Sequence, residues 1–535
     1  MNLRDLALLA SRDPALDALA ASDATLACSE IARPLVIAGL AERWSGSTLV
    51  VATPTGTAAQ MIHDDLVRYV GADNALLFPA WETLPFERVS PSVESMGRRL
   101  EVLWRLRSND RPRIVVGSVR ALLQKLAPGA TSREPIIVRR GTDVNADHLM
   151  ERLIADGYRR EDLVEHRGEC AQRGSIIDVF PSTMDAPIRI DLWGDEVDRL
   201  TTFSVNDQRS ADDLDEVVIF AAREVELTTA VRERAASLLS SEPWGLEQWD
   251  RLAEGQQFEG MESWLPWLVD RDELLTDALG KDTRLVLVEP RRMHARALDL
   301  LAEEADLARA LASTWARDAE REFPRLHVDA DRLLGATSSS RTLSLVLPAE
   351  APGESLISAT GWGPATADAE ATAARVRGLV ADGWTVALCA ESAGSARRFV
   401  EVFNENGVAV IDLARVPNAD MTKPGAYVVE SALHAGCSLP GARVSVISES
   451  DLTGRRRTHR VARAPKRDSS SVFQDLKPGD FVVHHVHGVG KYEGMVTRSI
   501  GGSERDYLLL SYKDGDKLYV PTDHIDAVQI GRAHV

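Results

Sequence analysis

The chain has 535 residues, a formal net charge of -19 and four cysteines. This length exceeds what one hydrophobic core supports and predicts roughly three to five domains. The acidic balance disfavours a protein that grips a DNA backbone by itself, because neutralising phosphates needs clustered Lys and Arg, and it favours protein partners. No apolar run approaches the ~20 residues that cross a bilayer, and the cysteines lack CxxC spacing. We therefore expect a cytoplasmic protein without a structural metal.

The first 134 residues carry the pattern of an α/β domain. Residues 47–71 predict a buried strand, a turn and a helix, because apolar residues follow first in a run and then at helical spacing. Short strands are predicted at residues 75–78 and 113–117, and helices at 94–107 and 118–126. This alternation is typical of a doubly wound sheet.

A nucleotide-binding sheet would carry a glycine-rich phosphate loop with a lysine after its first strand. This chain instead has Thr53-Pro54-Thr55-Gly56-Thr57, with no lysine. One glycine and one proline do not present the backbone N–H groups that cradle phosphates, and no ammonium reaches the terminal phosphate. We predict that this segment binds no nucleotide cofactor and hydrolyses no ATP.

Residues 166–210 say most about a partner. Hydrophobic residues alternate through Ile188, Ile190 and Leu192, so a strand here turns them inward. The opposite face then carries Arg189, Asp191 and Trp193. One interpretation is a tryptophan covered by a neighbouring loop. The other is a docking surface, because Arg and Trp often provide binding energy at protein interfaces.

The same segment contains RGECAQRGSIIDVFP, PIRIDLWGDEVDRL and a final QRS. It resembles the second domain of the excision-repair protein UvrB and the equivalent segment of the Mfd family of transcription-repair coupling factors. In both families, the resemblance implies, this domain docks on UvrA. The positions that match the docking pattern are Arg173, Arg189 and Trp193. We expect residues 135–220 to form an inserted α+β docking domain and the parent domain, a degenerate UvrB- or helicase-like one, to resume over 221–349.

The stretch FPAWETLPFERVSPSVESMGRRLEVLWRL resembles Mfd, most specifically in Trp81-Glu82-Thr83-Leu84-Pro85. It has no tyrosine run to build the DNA-clamping hairpin of UvrB. The missing hairpin and the missing phosphate loop both favour Mfd. Tryptophans follow in the returning part of the parent domain without interleaved basic residues, which predicts core packing rather than base stacking; they are Trp244, Trp249, Trp264 and Trp267.

Residues 355–454 predict a second, small α/β domain, with a strand at 384–389 and a helix at 395–404. Ser392 and His434 have no catalytic partner that the sequence reveals, so no nucleophile and no catalytic residue is predicted. The basic run 455–471 fits a solvated linker or a nonspecific DNA contact.

Residues 472–529 consist of short strands with tight turns, including a hairpin at Asp514-Gly515, and predict a small SH3- or Tudor-like β-barrel. GDFVVHHVHGVGKYEGM, DYLLLSY and KLYVP resemble the RNA-polymerase interaction domain shared by Mfd and CarD-type regulators. A strand as apolar as RDYLLLSY suggests an exposed edge that a strand of the polymerase β subunit covers, with Tyr507, Leu508 and Leu510 as contacts. The alternative is that these leucines are barrel core. The nearby histidines, 484, 485 and 487, lack a zinc ligand set.

The hexapeptide at residues 530–535 resembles a translated sequencing adapter, so we expect a non-native tail and a longer gene product. The resemblance to Mfd implies a bacterial factor of transcription-coupled nucleotide excision repair that binds RNA polymerase and recruits UvrA. The ATP-driven translocase that displaces polymerase, with its ATP, its magnesium and most of the DNA contact, is expected outside this segment. Alternatives are a UvrB-like helicase subunit and a freestanding CarD-type regulator.

Overall fold

The computed structural model describes residues 3–20, 24–83, 88–280, 282–312, 323–334, 341–347, 355–362 and 369–453, together with 479, 481–484, 488–500, 503–511, 517–521 and 528–530. These residues fall into two compact units, Met1–Arg457 and Thr458–Val535. The predicted linker 455–471 and residues 531–535 of the predicted tail lie outside the described ranges.

Helices and strands alternate through most of the first unit. The α-helices are α1 Arg4–Ala10, α2 Arg33–Arg43, α3 Gly56–Val70, α4 Val93–Arg107, α5 Val119–Leu123, α6 Ala146–Ala155, α7 Thr229–Ser241, α8 Leu246–Ala253, α9 Leu265–Leu268, α10 Pro290–Ala312, α11 Asp331–Leu334, α12 Ala369–Ala381, α13 Ala393–Glu405 and α14 Glu449–Thr453. The strands of this unit are β1 Ala24–Ala27, β2 Thr48–Thr53, β3 Ala75–Phe78, β4 Ile114–Ser118, β5 Ile136–Arg139, β6 Arg159–Arg160, β7 Glu169–Arg173, β8 Ile176–Val179, β9 Ile188–Trp193, β10 Glu196–Phe203, β11 Ser210–Asp213, β12 Glu216–Ile219, β13 Thr283–Val288, β14 Arg341–Val346, β15 Ser355–Leu356, β16 Thr385–Ala390, β17 Val410–Asp412, β18 Gly425–Glu430, β19 Cys437–Leu439 and β20 Val444–Ser448.

The parent domain is built on a seven-stranded parallel sheet in the order β15-β1-β14-β13-β2-β4-β3. The internal strand β2 is buried along its whole length. Leu49 and Val51 pack into the core on one side of the sheet, and Val50 and Ala52 pack into the core on the other. Burial on both faces explains why this strand is a continuous hydrophobic run. The predicted α/β architecture is confirmed, and the predicted strand at 284–288 is β13, which pairs with β2 in this sheet.

The inserted segment forms a six-stranded sheet in the order β11-β10-β9-β8-β7-β6, covered on one face by α6. The inserted segment begins with β5 and ends with β12, which pair antiparallel as a separate two-stranded sheet. The segment therefore starts and ends at neighbouring points. Ile188, Ile190 and Leu192 point into the core with Leu149 and Leu153 of α6. The alternation read from the sequence is therefore confirmed, as is the α+β character of the insertion.

The second small α/β domain has a five-stranded sheet in the order β17-β18-β16-β20-β19. One face of this sheet shares a continuous core with the parent domain, in which Tyr427 and Cys437 lie with Ile37 and Leu66. The predicted strand at 384–389 and helix at 395–404 correspond to β16 and α13.

The four tryptophans of the returning segment pack together. Trp249, Trp264 and Trp267 are buried, and Trp244 stacks on Trp264 with ring centroids 5.5 Å apart. The core-packing prediction is confirmed.

Among the described helices, none is long and apolar enough to cross a membrane.

The second unit is an antiparallel sheet of β21 Phe481–His484, β22 Gly488–Ile500, β23 Ser503–Ser511, β24 Lys517–Pro521 and β25 Val528–Ile530, in the order β24-β23-β22-β21-β25. Antiparallel pairing of Ser511 with Lys517 places β23 and β24 on either side of the predicted Asp514-Gly515 turn, which itself lies outside the described residues.

The expected exposed edge at RDYLLLSY is wrong, because β23 pairs with β22 on one side and β24 on the other. Leu508 and Leu510 are 2% and 0% exposed. A strand inside the sheet has neighbours on both sides that pair with its backbone and help to cover its apolar side chains, whereas an edge strand has one neighbour only. The side chain of Tyr507 lies outside the described set.

Candidate docking site

The outer face of the docking domain is set by β9, whose inward residues are buried and whose outward residues are Arg189, Asp191 and Trp193. Trp193 is 81% exposed and is opposite Glu196 across the turn to β10. No loop of the described chain covers it, so the covered-tryptophan interpretation is wrong. We call Arg173, Arg189 and Trp193 the docking face.

Both arginines of the docking face bind one carboxylate. Asp178 on β8 is opposite Arg189 in the strand register and is 1% exposed. Arg189 donates from Nε to Asp178 Oδ1 at 2.8 Å and from Nη2 to Oδ2 at 2.9 Å. Arg173 on β7 donates from Nη2 to Oδ2 at 2.5 Å. This fork-shaped pairing fixes the plane of the Arg189 guanidinium.

Two further contacts hold Arg189 in place. Its guanidinium carbon lies 4.7 Å from the ring centroid of Phe203 on β10, and its Nη1 donates to the backbone carbonyl of Gln208 at 3.0 Å. Gln208 takes a φ of 59°, in the left-handed region that few side chains adopt. The bond to Asp178 raises the pKa of Arg189 above its ordinary value, so the charge is permanent.

Arg173 and Arg189 differ in exposure. The Arg173 side chain is 46% exposed, whereas that of Arg189 is 14% exposed. Asp191 lies beside them, and its burial raises the pKa of that carboxyl above its ordinary value, against the lowering effect of Arg189 and Arg199. The docking face thus presents the exposed indole of Trp193, the partly exposed guanidinium of Arg173 and the more buried guanidinium of Arg189. This combination suits recognition of acidic and apolar groups on a partner.

Buried hydrogen bonds inside the docking domain order its last residues where the domain packs against α4 of the parent domain. The carbonyl of Phe220 accepts hydrogen bonds from Tyr158 Oη at 2.6 Å and Ser182 Oγ at 2.9 Å. A Cβ at Gly97 of α4 would lie 2.3 Å from Ser182 Oγ, so only glycine allows this approach. The exit of the insertion is therefore held against a helix of the parent domain.

Trp81, from the stretch that resembled Mfd, contributes to the same attachment. Its Nε1 donates to Glu224 Oε2 at 2.9 Å. Arg99 of α4 binds the same carboxylate at 2.7 Å and lies 4.3 Å from the ring centroid of Phe78. Arg99 and Glu224 are both fully buried. Trp81 is thus a structural residue at the base of the docking domain.

The phosphate-loop position holds an ordinary helix cap. Thr55 Oγ1 accepts a hydrogen bond from the backbone N–H of Ala58 at the start of α3. In the same way Ser392 caps α13 by accepting from Ser395 N. His434 Nδ1 lies 2.8 Å from Asp65 Oδ1, which links the second α/β domain to α3. Across the described ranges, no group of three or more His, Cys, Asp or Glu side chains is placed to hold a metal.

Comparison with known proteins adds two family matches. Residues 136–225 match the family described as the UvrB interaction domain, and residues 476–532 match the CarD-like/TRCF RID domain. The chain is 36% identical to the transcription-repair-coupling factor of Mycobacterium tuberculosis (strain CDC 1551 / Oshkosh), over 94% of this chain and 44% of that protein. The factor of Bacillus subtilis (strain 168) is 28% identical over 88% of this chain and 42% of its own length. That of Haemophilus influenzae is 26% identical over 92% and 44%.

The chain matches the N-terminal half of the transcription-repair-coupling factors. It spans less than half the length of the curated relatives that it matches. All three docking-face residues lie inside the UvrB interaction domain match, and β21 to β25 lie inside the CarD-like/TRCF RID match. The similarity to transcription-repair-coupling factors that the sequence motifs suggested is confirmed.

Reasoning from sequence missed Asp178, the residue that joins the two docking arginines. Asp178 sits in IIDVF, where an aspartate between apolar residues of a strand is a detectable signal. Its partners, however, come from two other strands, and their register cannot be read from one strand alone. The same applies to Glu224, whose partners lie 125 and 143 residues away in the chain.

Proposed function

We propose that this chain is the sensing and recruiting part of a transcription-repair coupling factor, which captures UvrA through the docking face and RNA polymerase through the second unit. One observation carries the proposal: Trp193 is 81% exposed beside two fixed arginines, inside the segment that matches the UvrB interaction domain. A tryptophan beside arginines is the combination of residue types most enriched at the binding hot spots of protein interfaces.

The docking face has the composition of a binding hot spot. Tryptophan and arginine are the residues whose truncation most often costs more than about 2 kcal/mol at an interface. The guanidinium of Arg189 is already ordered by Asp178, Phe203 and Gln208, so little conformational entropy is lost when a partner binds it. We propose that UvrA supplies carboxylates to the arginines and an apolar surface to Trp193.

For RNA polymerase we propose strand addition by the β subunit to the second unit. In the described sheet the outer strands are β24 and β25. Because Leu508 and Leu510 are buried, we propose that they shape the sheet while main-chain groups of an outer strand pair with the polymerase.

ATP, magnesium and most DNA contact are proposed to belong to the part of the relatives that this chain does not span. Here the start of α3 is capped by Thr55, and the residue directly after Gly56 is Thr57 instead of a lysine. A phosphate at this place would have to displace the cap without gaining an ammonium partner. We therefore propose that this chain acts by binding alone.

The proposal is tested by immobilising the chain and measuring association of purified UvrA. Replacing Arg189 and Trp193 together by Ala should abolish detectable binding. Arg139→Ala is the matched control, because Arg139 is an exposed arginine of the same domain that pairs with Glu216 on the separate two-stranded sheet. Equal binding by the double variant and the wild type would refute the docking assignment, as would loss of binding in the control.

A further inference from the structure

We propose that Asp178 is a positioning residue of the docking site, which holds Arg173 and Arg189 in the arrangement that a partner recognises without touching the partner itself. The inference rests on the proposed docking function and adds the residue that organises it. At 1% exposure Asp178 is too buried to meet a partner.

The geometry supports an organising role. Asp178 is opposite Ala171 on β7 and Arg189 on β9, so it lies between the strands that carry the two arginines. Its two oxygens accept three hydrogen bonds, at 2.8 and 2.9 Å from Arg189 and at 2.5 Å from Arg173. A carboxylate offers about four acceptor sites, so Asp178 is close to saturated by the two arginines.

The arginines keep donors for a partner. A guanidinium has five N–H groups. Arg189 uses three of them within the described chain, two on Asp178 and one on Gln208, and Arg173 uses one. Asp178 and Asp191 together offset the two arginine charges, so the distinctive feature of the site is the fixed direction of its remaining N–H donors. Such a site recognises carboxylates by direction as well as by charge.

Removal of Asp178 should change the affinity for UvrA in opposite directions, depending on whether Asp178 acts only through its charge or by positioning the two arginines. If only charge mattered, loss of a carboxylate beside two arginines would strengthen attraction to an acidic partner. If Asp178 positions the arginines, its loss frees two long side chains that must be ordered again on binding. We expect Asp178→Asn to weaken UvrA binding about tenfold, which corresponds to about 1.4 kcal/mol.

Asp191→Asn is the control for charge. Asp191 lies on β9 on the same side of the sheet, and none of its hydrogen bonds in the described chain goes to Arg173 or Arg189. Removing the same unit of negative charge there should leave binding unchanged or strengthen it. A weakening of equal size in both variants would overturn the positioning role.

The experiment measures UvrA affinity of the full chain for the wild type, Asp178→Asn, Arg173→Ala and the double variant. Positioning predicts that the effect of Asp178→Asn shrinks in the Arg173→Ala background, because one of the side chains that it orders is gone. An effect of unchanged size would overturn the inference, since misfolding or direct contact persists without Arg173. Arg189→Lys gives a second route if Asp178→Asn does not fold: it keeps the charge but cannot form the fork, and wild-type affinity would overturn the inference.

The outcomes also separate the inference from the proposed function. Absence of UvrA binding by the wild-type chain would refute the proposed function together with the inference. Wild-type binding that Asp178→Asn leaves unchanged or strengthens would refute the positioning role alone.

Discussion

Trp193→Ala and Arg189→Ala should separate binding from stability, although both residues lie on the docking face. Trp193 is 81% exposed, so its truncation removes little buried surface and should change the free energy of unfolding by no more than about 0.5 kcal/mol. Arg189 is 14% exposed and is the main partner of buried Asp178. Removing one partner of a buried ion pair costs about 3–5 kcal/mol. Arg173 still binds Asp178, so the expected loss is about 3 kcal/mol, at the lower end of this range.

The assay is thermal unfolding of each variant beside UvrA binding. Trp193→Ala should keep the melting temperature and lose at least about 30-fold in affinity, the equivalent of about 2 kcal/mol. Arg189→Ala should lose affinity and lower the melting temperature by several degrees. Two results would refute this reasoning: a melting temperature for Arg189→Ala equal to that of the wild type, or a marked loss of stability in Trp193→Ala.

Three further predictions concern the second unit, a buried histidine and the start of α3. Leu508→Arg should unfold the second unit, because it places a charge at a position where 2% of the side chain is exposed. Met495→Arg, at a position that is 59% exposed, should leave the unit folded, and circular dichroism distinguishes the two outcomes. A Leu508→Arg protein that folds but fails to bind polymerase would instead indicate that Leu508 is a contact residue. Burial lowers the pKa of His327 below its ordinary 6.5, so the unfolded chain binds a proton that the folded chain resists, and stability falls as pH drops below about 6.5. His327→Gln should flatten that slope between pH 7.5 and 5.5, and an unchanged slope contradicts the assignment. Calorimetric titration with ATP and magnesium should give no micromolar binding, since the helix cap at Thr55 occupies the phosphate-loop position; micromolar affinity would support the helicase alternative.

Hydrophobic patterns within single elements predicted much of the fold. The continuous apolar run at β2 predicted a buried strand, and the alternation at Ile188, Ile190 and Leu192 predicted which side of β9 faces the core. These signals depend only on the period of a strand. The exposure of Trp193 followed from the same alternation, but a covering loop could be dismissed only with the structure.

The predictions were wrong or incomplete where the pairing of one strand with others decides the position or the contacts of a residue. RDYLLLSY read as an edge because apolar residues on both faces looked excessive for a small domain, yet β22 and β24 flank it and bury Leu508 and Leu510. The place of a strand in a sheet depends on its neighbours and not on its own residues. Asp178 was overlooked for the same reason, because it acts through arginines on two other strands.

The proposed function requires that one chain joins UvrA to RNA polymerase. Light scattering on a size-exclusion column, with the chain, purified UvrA and RNA polymerase mixed at micromolar concentration, tests this most directly. We expect a ternary complex, and we expect only a chain–polymerase complex when Arg189 and Trp193 are replaced by Ala. A mixture in which UvrA and polymerase never elute together, or one in which the double variant still joins them, would contradict it.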